Sequence, residues 1–391
     1  MGTVYLHIGT AKTGTTSLQR FCWINPETLA KKGFAYPQMP FGFKEKGQRY
    51  KNAYFLTLWN KRTDERWKKA FSIVEDMFKE HENVILSDEQ VWIMQPEEGF
   101  WEAVQEELAA IGADLKVLVY LRPQDQMAES HWNQKVKGKP KLAESFQEFL
   151  DGGYGGFPLD YGKTVDWVAD HVGKDNLTVR VFEHGQFSGG NLIADFLDAL
   201  GLGKLDEYKL PGHVSNLRLP ENVAEIKRLA NAADSYQEPD MPNFYWNAIR
   251  KAYGLGTMKE IPKHKTGMFS PEERREYLSR FAEGNAHVAR VYLNRPDGKL
   301  FYEEPSDLPK WELDEKEILP DLMRVIAGAD TYLYEEQEKK AKELEERIAK
   351  VTREMEETAE QTRKLQNRLD RMLNSLPLRV YRKLFGEVKK N

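Results

Sequence analysis

Lys12 sits inside the run His7-Ile8-Gly9-Thr10-Ala11-Lys12-Thr13-Gly14-Thr15-Thr16-Ser17, between two glycines and ahead of three consecutive hydroxyl residues. The run follows a short apolar stretch and opens a helical pattern over Thr16–Trp23. In that setting backbone N–H groups and a helix N-terminus make a concave anion site, and glycine permits the tight path. The alternative is a plain structural turn. The spacing of Gly9 and Gly14 is that of Gly-x-x-x-x-Gly-Lys-Ser/Thr, but Thr15 fills the lysine slot. A lysine there would reach the outer phosphates of a nucleoside triphosphate, and the next hydroxyl would hold Mg²⁺. Its displacement to Lys12 argues against a triphosphate donor. A lysine placed earlier suits a single 5′-phosphate and the bridging oxygen of a leaving group.

At Lys12-Thr13-Gly14-Thr15-Thr16 the chain resembles the sulfotransferase family, whose 5′-phosphosulfate loop carries Lys-x-Gly-Thr-Thr. The longer wording, His-Ile-Gly-x-x-Lys-Thr-Gly-Thr-Thr-Ser-Leu-Gln ending at Gln19, is similar to the bacterial, carbohydrate-type branch. The resemblance implies 3′-phosphoadenosine 5′-phosphosulfate as sulfuryl donor, held by Lys12, Thr13, Gly14, Thr15, Thr16 and Ser17. It also implies a strand-ending Arg and a Ser eight residues on, both on the 3′-phosphate. Arg122 ends the apolar run Val117–Leu121, and Ser130 stands eight residues later. That interval is about two helical turns, so both can face one ligand. Arg offers phosphate a fork of donors and Ser a hydroxyl. One departure is visible: the family's Arg-Asn-Pro-x-Asp reads Arg122-Pro123-Gln124-Asp125 here. It bears on the subfamily more than on the donor. The stretches Val179–Glu183, Gly189–Leu197 and Ser270–Tyr292 also look like bacterial members, so the resemblance covers most of residues 1–305.

Sulfuryl transfer to a hydroxyl needs an in-line nucleophile, a base and stabilisation of the leaving phosphate. Lys12 is assigned to the leaving-group side. Glu89, in Ile85-Leu86-Ser87-Asp88-Glu89, is assigned as base. It follows a buried strand, at the sheet edge where open α/β folds bind ligands, and carbohydrate-type relatives carry a similar Ser-x-Glu. Asp88 is the adjacent competitor. His7, which precedes the loop, is the second candidate, either as base or to orient the acceptor. His131 is expected on a different helix face from Ser130, and His213 in a loop able to cover the nucleotide. Trp92 and Trp132 suit stacking on a sugar or adenine, or core packing. No metal constellation stands out, and the reaction requires none.

These groups need a scaffold. Val4–Ile8, Asn83–Leu86, Lys116–Leu121 and Leu177–Phe182 read as buried strands. Amphipathic stretches at Glu65–His81, Phe100–Ile111, Asp125–Lys137 and Asn191–Leu200 alternate with them. This predicts an α/β fold, a P-loop-like parallel sheet flanked by helices. Pro220–Ala233 and Pro271–Leu293, the latter capped by Ser270, read as a helical extension of the same core. Ala341, Leu344, Ile348, Val351, Met355, Thr358, Thr362, Leu365, Leu369, Met372 and Leu376 recur in alternating steps of three and four, a heptad seam. The expected division is a sulfotransferase domain over 1–330, a dimerising coiled coil over 331–376 ended by Pro377, and a basic tail over 377–391. The tail suits an anionic membrane, a partner, or plain fraying.

Composition limits the remaining classes. The 391 residues are 40% hydrophobic and 30% charged, which excludes a disordered chain. A single cysteine excludes an internal disulfide framework. The net charge of −5 gives no global attraction to nucleic acid, so no nucleic-acid partner is expected. No run of about 18 apolar residues occurs, and Met1–Ile8 lacks the pattern of an export signal. The expectation is a cytoplasmic, homodimeric sulfotransferase acting on a carbohydrate or glycoconjugate hydroxyl. That acceptor class rests on the resemblance alone. The competing readings are a P-loop kinase for a small molecule or sugar, and a non-catalytic coiled-coil scaffold.

Overall fold

The structure is a computed structural model describing residues 2–40, 50–138, 141–153, 157–212, 218–233, 244–254 and 265–386. Five strands hydrogen-bond side by side: β1 (Gly2–His7), β2 (Phe34–Ala35), β3 (Asn83–Ser87), β4 (Ala113–Leu121) and β5 (Leu177–Val181). All pairs are parallel, in the order β2-β3-β1-β4-β5. Parallel neighbours need long crossovers, and the intervening helices supply them. The predicted α/β architecture is therefore present. β2, only two residues long, was not expected.

Alternate strand residues point to opposite faces. Val4, Leu6, Val84, Leu86, Val117 and Val119 feed one core, while Ile85, Leu118 and Tyr120 feed another with Leu18, Phe21 and Phe196. The first core also takes in Leu219, Val223, Ala248, Phe269, Tyr277 and Val288. These residues beyond 206 thus share the sheet's own core. β1 is central, with Leu6 in register with Leu86 on one side and Val117 on the other. The chain leaves β1 for β2 and β3, then crosses to β4 and β5. Ligands in such sheets sit at the strands' carboxyl ends where the winding reverses.

Two expected helices differ in detail. Pro271–Leu293 is broken into Pro271–Ser279 and Ala282–Tyr292. The Ser279 hydroxyl turns back to the Glu276 carbonyl at 2.7 Å, and Phe281 N–H closes a tight turn on Leu278 at 3.0 Å. Ser270 does cap the first half, in a reciprocal pair with Glu273. The C-terminal helix is longer than the heptad seam, running unbroken from Glu315 to Leu373 across residue 330. It stops at Asn374, before Pro377. Pro377 instead lies in the first turn of another helix, Leu376–Phe385, where its missing N–H costs nothing. The last heptad residue, Leu376, therefore lies outside the long helix. No helix among the described residues is long and apolar enough to cross a membrane.

The root of the long helix packs on the helix Phe244–Tyr253. Gly328 is what lets the two approach: a Cβ there would lie 2.3 Å from the Ala248 carbonyl oxygen and 2.7 Å from the Ala252 nitrogen. Both obstacles are backbone, so a side chain would push the helices apart. Gly328→Ala is expected to cost about 1–3 kcal/mol by overpacking, seen as a lower urea midpoint. A midpoint at or above that of the unsubstituted chain would contradict this close crossing.

Candidate active site

The loop after β1 is held by the neighbouring strand. Thr10 N–H donates to Tyr120 O at 2.9 Å, and Tyr120 N–H donates to Gly9 O at 2.6 Å. Thr13 turns its hydroxyl inward, onto Thr10 O at 2.6 Å. Gly9, Lys12 and Gly14 all have positive φ, at 100°, 66° and 73°. At Gly14 the positive φ demands glycine; a Cβ would lie 2.3 Å from Leu192 Cδ2, the end of a side chain that can turn aside. Lys12 bears the left-handed conformation with a side chain, at a cost of about 1–2 kcal/mol. The helix Thr15–Ile24 starts at once, with Gly14 as N-cap, no side-chain cap and no acidic residue in its first turn. An uncapped N-terminus of this kind favours an anion.

Arg122, just past the end of β4, reaches the same loop. Its Nη1 donates to Lys12 O at 2.8 Å and its Nε to Gln126 Oε1 at 3.3 Å. Its guanidinium lies 5.5 Å from the centre of the Phe182 ring, and Tyr161 OH holds its carbonyl at 2.7 Å. Among the described residues Arg122 makes no ion pair. The following helix, Gln124–Lys137, is anchored on another side by Arg274. That residue is 2% exposed, pairs with Asp125 and lies 2.9 Å from Glu129. Arg218 adds a bond to Glu129 at 2.8 Å.

These elements enclose a cleft of about 570 Å³. Lys12, Gly14, Thr15, Thr16, Ser17, Glu89, Arg122 and Ser130 all line it. Thr13 and His7 do not. His131, expected to face elsewhere, also lines the cleft, packing against the Phe149 and Phe157 rings at 5.9 and 5.3 Å. Lys137 and Arg218 line it too, and neither was singled out in the sequence. Trp92 and Trp132 are buried, their indole N–H groups spent on the carbonyls of Pro158 and Glu144 at 3.1 Å each. His213 lies outside the described residues.

Burial disfavours the charged forms of the basic groups in this cleft, and their neighbouring positive charges add to it. Burial, then the charge of Arg122, pushes Lys12 down to about 8, against the opposing pull of Glu89. Burial and the charge of Lys12 push Lys137 down to about 7. His131 falls to about 4, by burial first and then Lys135 and Lys12. Arg122 is lowered by burial, and as a guanidinium it keeps its charge. An anionic ligand would relieve all four.

Glu89 stands across the cleft, at the end of β3. Lys51 Nζ bonds its Oε1 at 2.7 Å and Asp88 Oδ1 at 3.1 Å. Gln19 Nε2 bonds Glu89 Oε2 at 3.2 Å and Ser87 Oγ at 3.3 Å. His7 Nδ1 in turn lies 2.9 Å from Ser87 Oγ. Burial is the largest single influence on the Glu89 carboxyl and raises it, but the charge and hydrogen bond of Lys51, with a backbone hydrogen bond and Gln19, together bring the net direction down. Asp88 goes the other way: burial raises it more than Lys51 lowers it. Asp88 is 1% exposed and accepts the Gln90 N–H at 2.9 Å, so it caps the turn rather than facing the cleft. His7 is also 1% exposed, and burial pushes it down to about 4, leaving it neutral. Among the described residues no cluster of His, Cys, Asp or Glu is placed to hold a metal.

Lys51 went unnoticed in the sequence because no periodicity marks its segment. Asn52 places it, accepting from Ser87 N at 2.8 Å and donating to Ile85 O at 2.9 Å.

No family model matches the chain. An uncharacterized protein of Archaeoglobus fulgidus is 28% identical over 193 residues, covering 48% of this chain and 49% of that protein. The chain thus spans about half the length of that curated relative. The crystal structure of a sulfotransferase from Alicyclobacillus acidocaldarius aligns with a TM-score of 0.36 and 16% identity, over 59% of this chain and 94% of that one.

Removing Lys51 leaves burial as the dominant influence on Glu89. Lys51→Met is expected to raise the Glu89 pKa, read by carboxyl NMR titration. A titration midpoint that stays put or falls would show that Lys51 does not control this carboxylate.

Proposed function

We propose that this protein is a sulfotransferase that moves the sulfuryl group of 3′-phosphoadenosine 5′-phosphosulfate to a hydroxyl of a carbohydrate or glycoconjugate. The observation that carries this reading is the joining of Lys12 and Arg122. Two cationic side chains from separate strand-to-helix crossings share one cleft, and Arg122 ties the crossings together by a 2.8 Å hydrogen bond to the main-chain carbonyl of Lys12. A donor with phosphate at both ends of an adenosine fits such a pair of anion sites. The donor supplies an activated sulfuryl group. In this reading the Gly9–Ser17 loop and the uncapped helix behind it hold the 5′-phosphate. Lys12 meets the charge that grows on the departing phosphate oxygen. Arg122 and Ser130 hold the 3′-phosphate, and Thr13 supports the loop from within.

Glu89 takes the proton of the attacking hydroxyl. Lys51 and Gln19 fix both of its oxygens and hold it ionised, at the expense of basicity, since a general base works best with a pKa nearer the operating pH. His7, reaching only Ser87, steadies the Ser87–Gln19 pair behind Glu89. The carbohydrate acceptor rests on the likeness of the Gly9–Gln19 wording to carbohydrate-type sulfotransferases. The reading keeps the cytoplasmic setting expected above and a homodimer formed through the C-terminal helix, and leaves the basic tail frayed or free to touch an anionic membrane. It requires no metal. A kinase would need a lysine where Thr15 stands.

Calorimetry is expected to show 3′-phosphoadenosine 5′-phosphate binding where ATP does not; Mg²⁺-dependent ATP turnover would support the kinase instead. Lys12→Ala is expected to lower sulfuryl transfer by about a hundredfold or more, as for other lost transition-state donors, whereas Arg122→Ala mainly weakens donor binding. Ordinary kinetics in both variants would remove these residues from the site. Affinity for the bisphosphate should also fall as pH rises through about 8, because Lys12 then loses its proton. The sign follows from the depressed lysine: the charged form binds the anion, and deprotonation removes it. Flat affinity between pH 7 and pH 9 by calorimetry would exclude Lys12 from the contact.

A further inference from the structure

From residue 341 to residue 372 every position of the long helix is exposed, and the helix projects about 50 Å beyond the α/β body. Its large apolar residues, Leu344 and Ile348 among them, stand 53–69% exposed. Among the described residues the ion pairs along this length are local, Lys350–Glu354 at 3.9 Å and Lys364–Glu360 at 2.7 Å. Such pairs support an isolated helix only weakly. A solvated rod would have no reason to keep apolar side chains in strict steps of three and four. That spacing is the seam of a coiled coil.

We infer that two copies of this chain pair in parallel and in register along residues 341–372. The inference rests on the self-association in the reading above, and not on the sulfuryl chemistry. Charge selects the orientation. In a parallel pair the positions flanking the seam meet five residues apart. Lys340 of one copy then lies beside Glu345 of the other, an attractive pair made twice by symmetry. The remaining flanking pairs set Arg347 beside Thr352, Glu354 beside Ala359, Gln361 beside Gln366 and Arg368 beside Leu373, with no like charges. A fully overlapped antiparallel pair would instead bring Arg347 against Arg368, twice.

The two polar seam positions do not forbid closure. Thr358 donates its hydroxyl to Glu354 O at 2.7 Å, and Thr362 donates to Thr358 O at 2.8 Å. Both donors are satisfied inside their own helix, so a dry interface would leave neither stranded. The parallel arrangement holds both α/β bodies at one end. The two Leu376–Phe385 helices then share the other.

Cysteine cross-linking of the full chain tests both the pairing and its direction. The single native cysteine, Cys22, is 1% exposed and does not interfere. Leu344→Cys and Leu369→Cys are each expected to form a covalent dimer alone under mild oxidation, on a non-reducing gel. A covalent dimer seen only when the two variants are mixed would overturn the parallel orientation. Light scattering should give the unsubstituted chain twice its monomer mass. The Leu344→Glu, Leu365→Glu double variant should fall to the monomer, with its near-ultraviolet tryptophan dichroism unchanged. Monomer mass for the unsubstituted chain, or dimer mass without cross-linking at either position, would overturn the seam. Sulfuryl transfer by the monomeric double variant would leave the proposed chemistry standing in either case.

Discussion

The hydrogen bond from the Arg122 guanidinium to the Lys12 carbonyl governs the arrangement of the cleft. It binds the crossing that leaves β1 to the crossing that leaves β4, and it holds Lys12 in a backbone conformation that a side chain resists. It also brings two positive charges together without a carboxylate bonded to Arg122. Such an arrangement is costly in a partly buried cleft unless an anion completes it. Lys12, Lys137 and His131 are all lowered, by burial first and by neighbouring positive charge second. The strain is therefore concentrated where binding would release it.

Opposite this cationic wall, Glu89 is managed by different means. Its charge is offset by Lys51, its orientation is set by Gln19, and Ser87 and His7 stand behind Gln19. Three strand ends contribute to the two walls: β1 through His7 and the loop, β3 through Ser87 to Glu89, and β4 through Arg122. The parallel register of β1 with both neighbours is what brings them to one edge. A slip of one residue in either pairing would turn His7 or Ser87 to the other face.

Much of this was legible in the sequence, for identifiable reasons. The strands that form the core are continuous apolar runs, so β1, β3, β4 and β5 could be found from composition alone. Gly9, Gly14 and Lys12 announce a loop because few other structures need that combination. The rest was hidden where the determinant is tertiary. β2 is too short to show a period. The break after Ser279 comes where Phe281 N–H closes a tight turn on Leu278, which a helical pattern does not reveal. Lys51 reaches Glu89 only because Asn52 is stitched to β3. His131 faces the cleft although its neighbour Ser130 does as well, because the cleft wraps around more than one face of that helix.

The helix Phe244–Tyr253 touches two distant parts of the molecule. Trp246 lies 6.0 Å from the ammonium of Lys137, on the cleft wall, while Ala248 and Ala252 press against Gly328 at the root of the protruding rod. One short segment is thus both a wall tie for the cleft and a foundation for the stalk. Substitutions that alter how the stalk is seated must be accommodated by the same turns that steady Lys137. The two ends of the design are not free to change size independently.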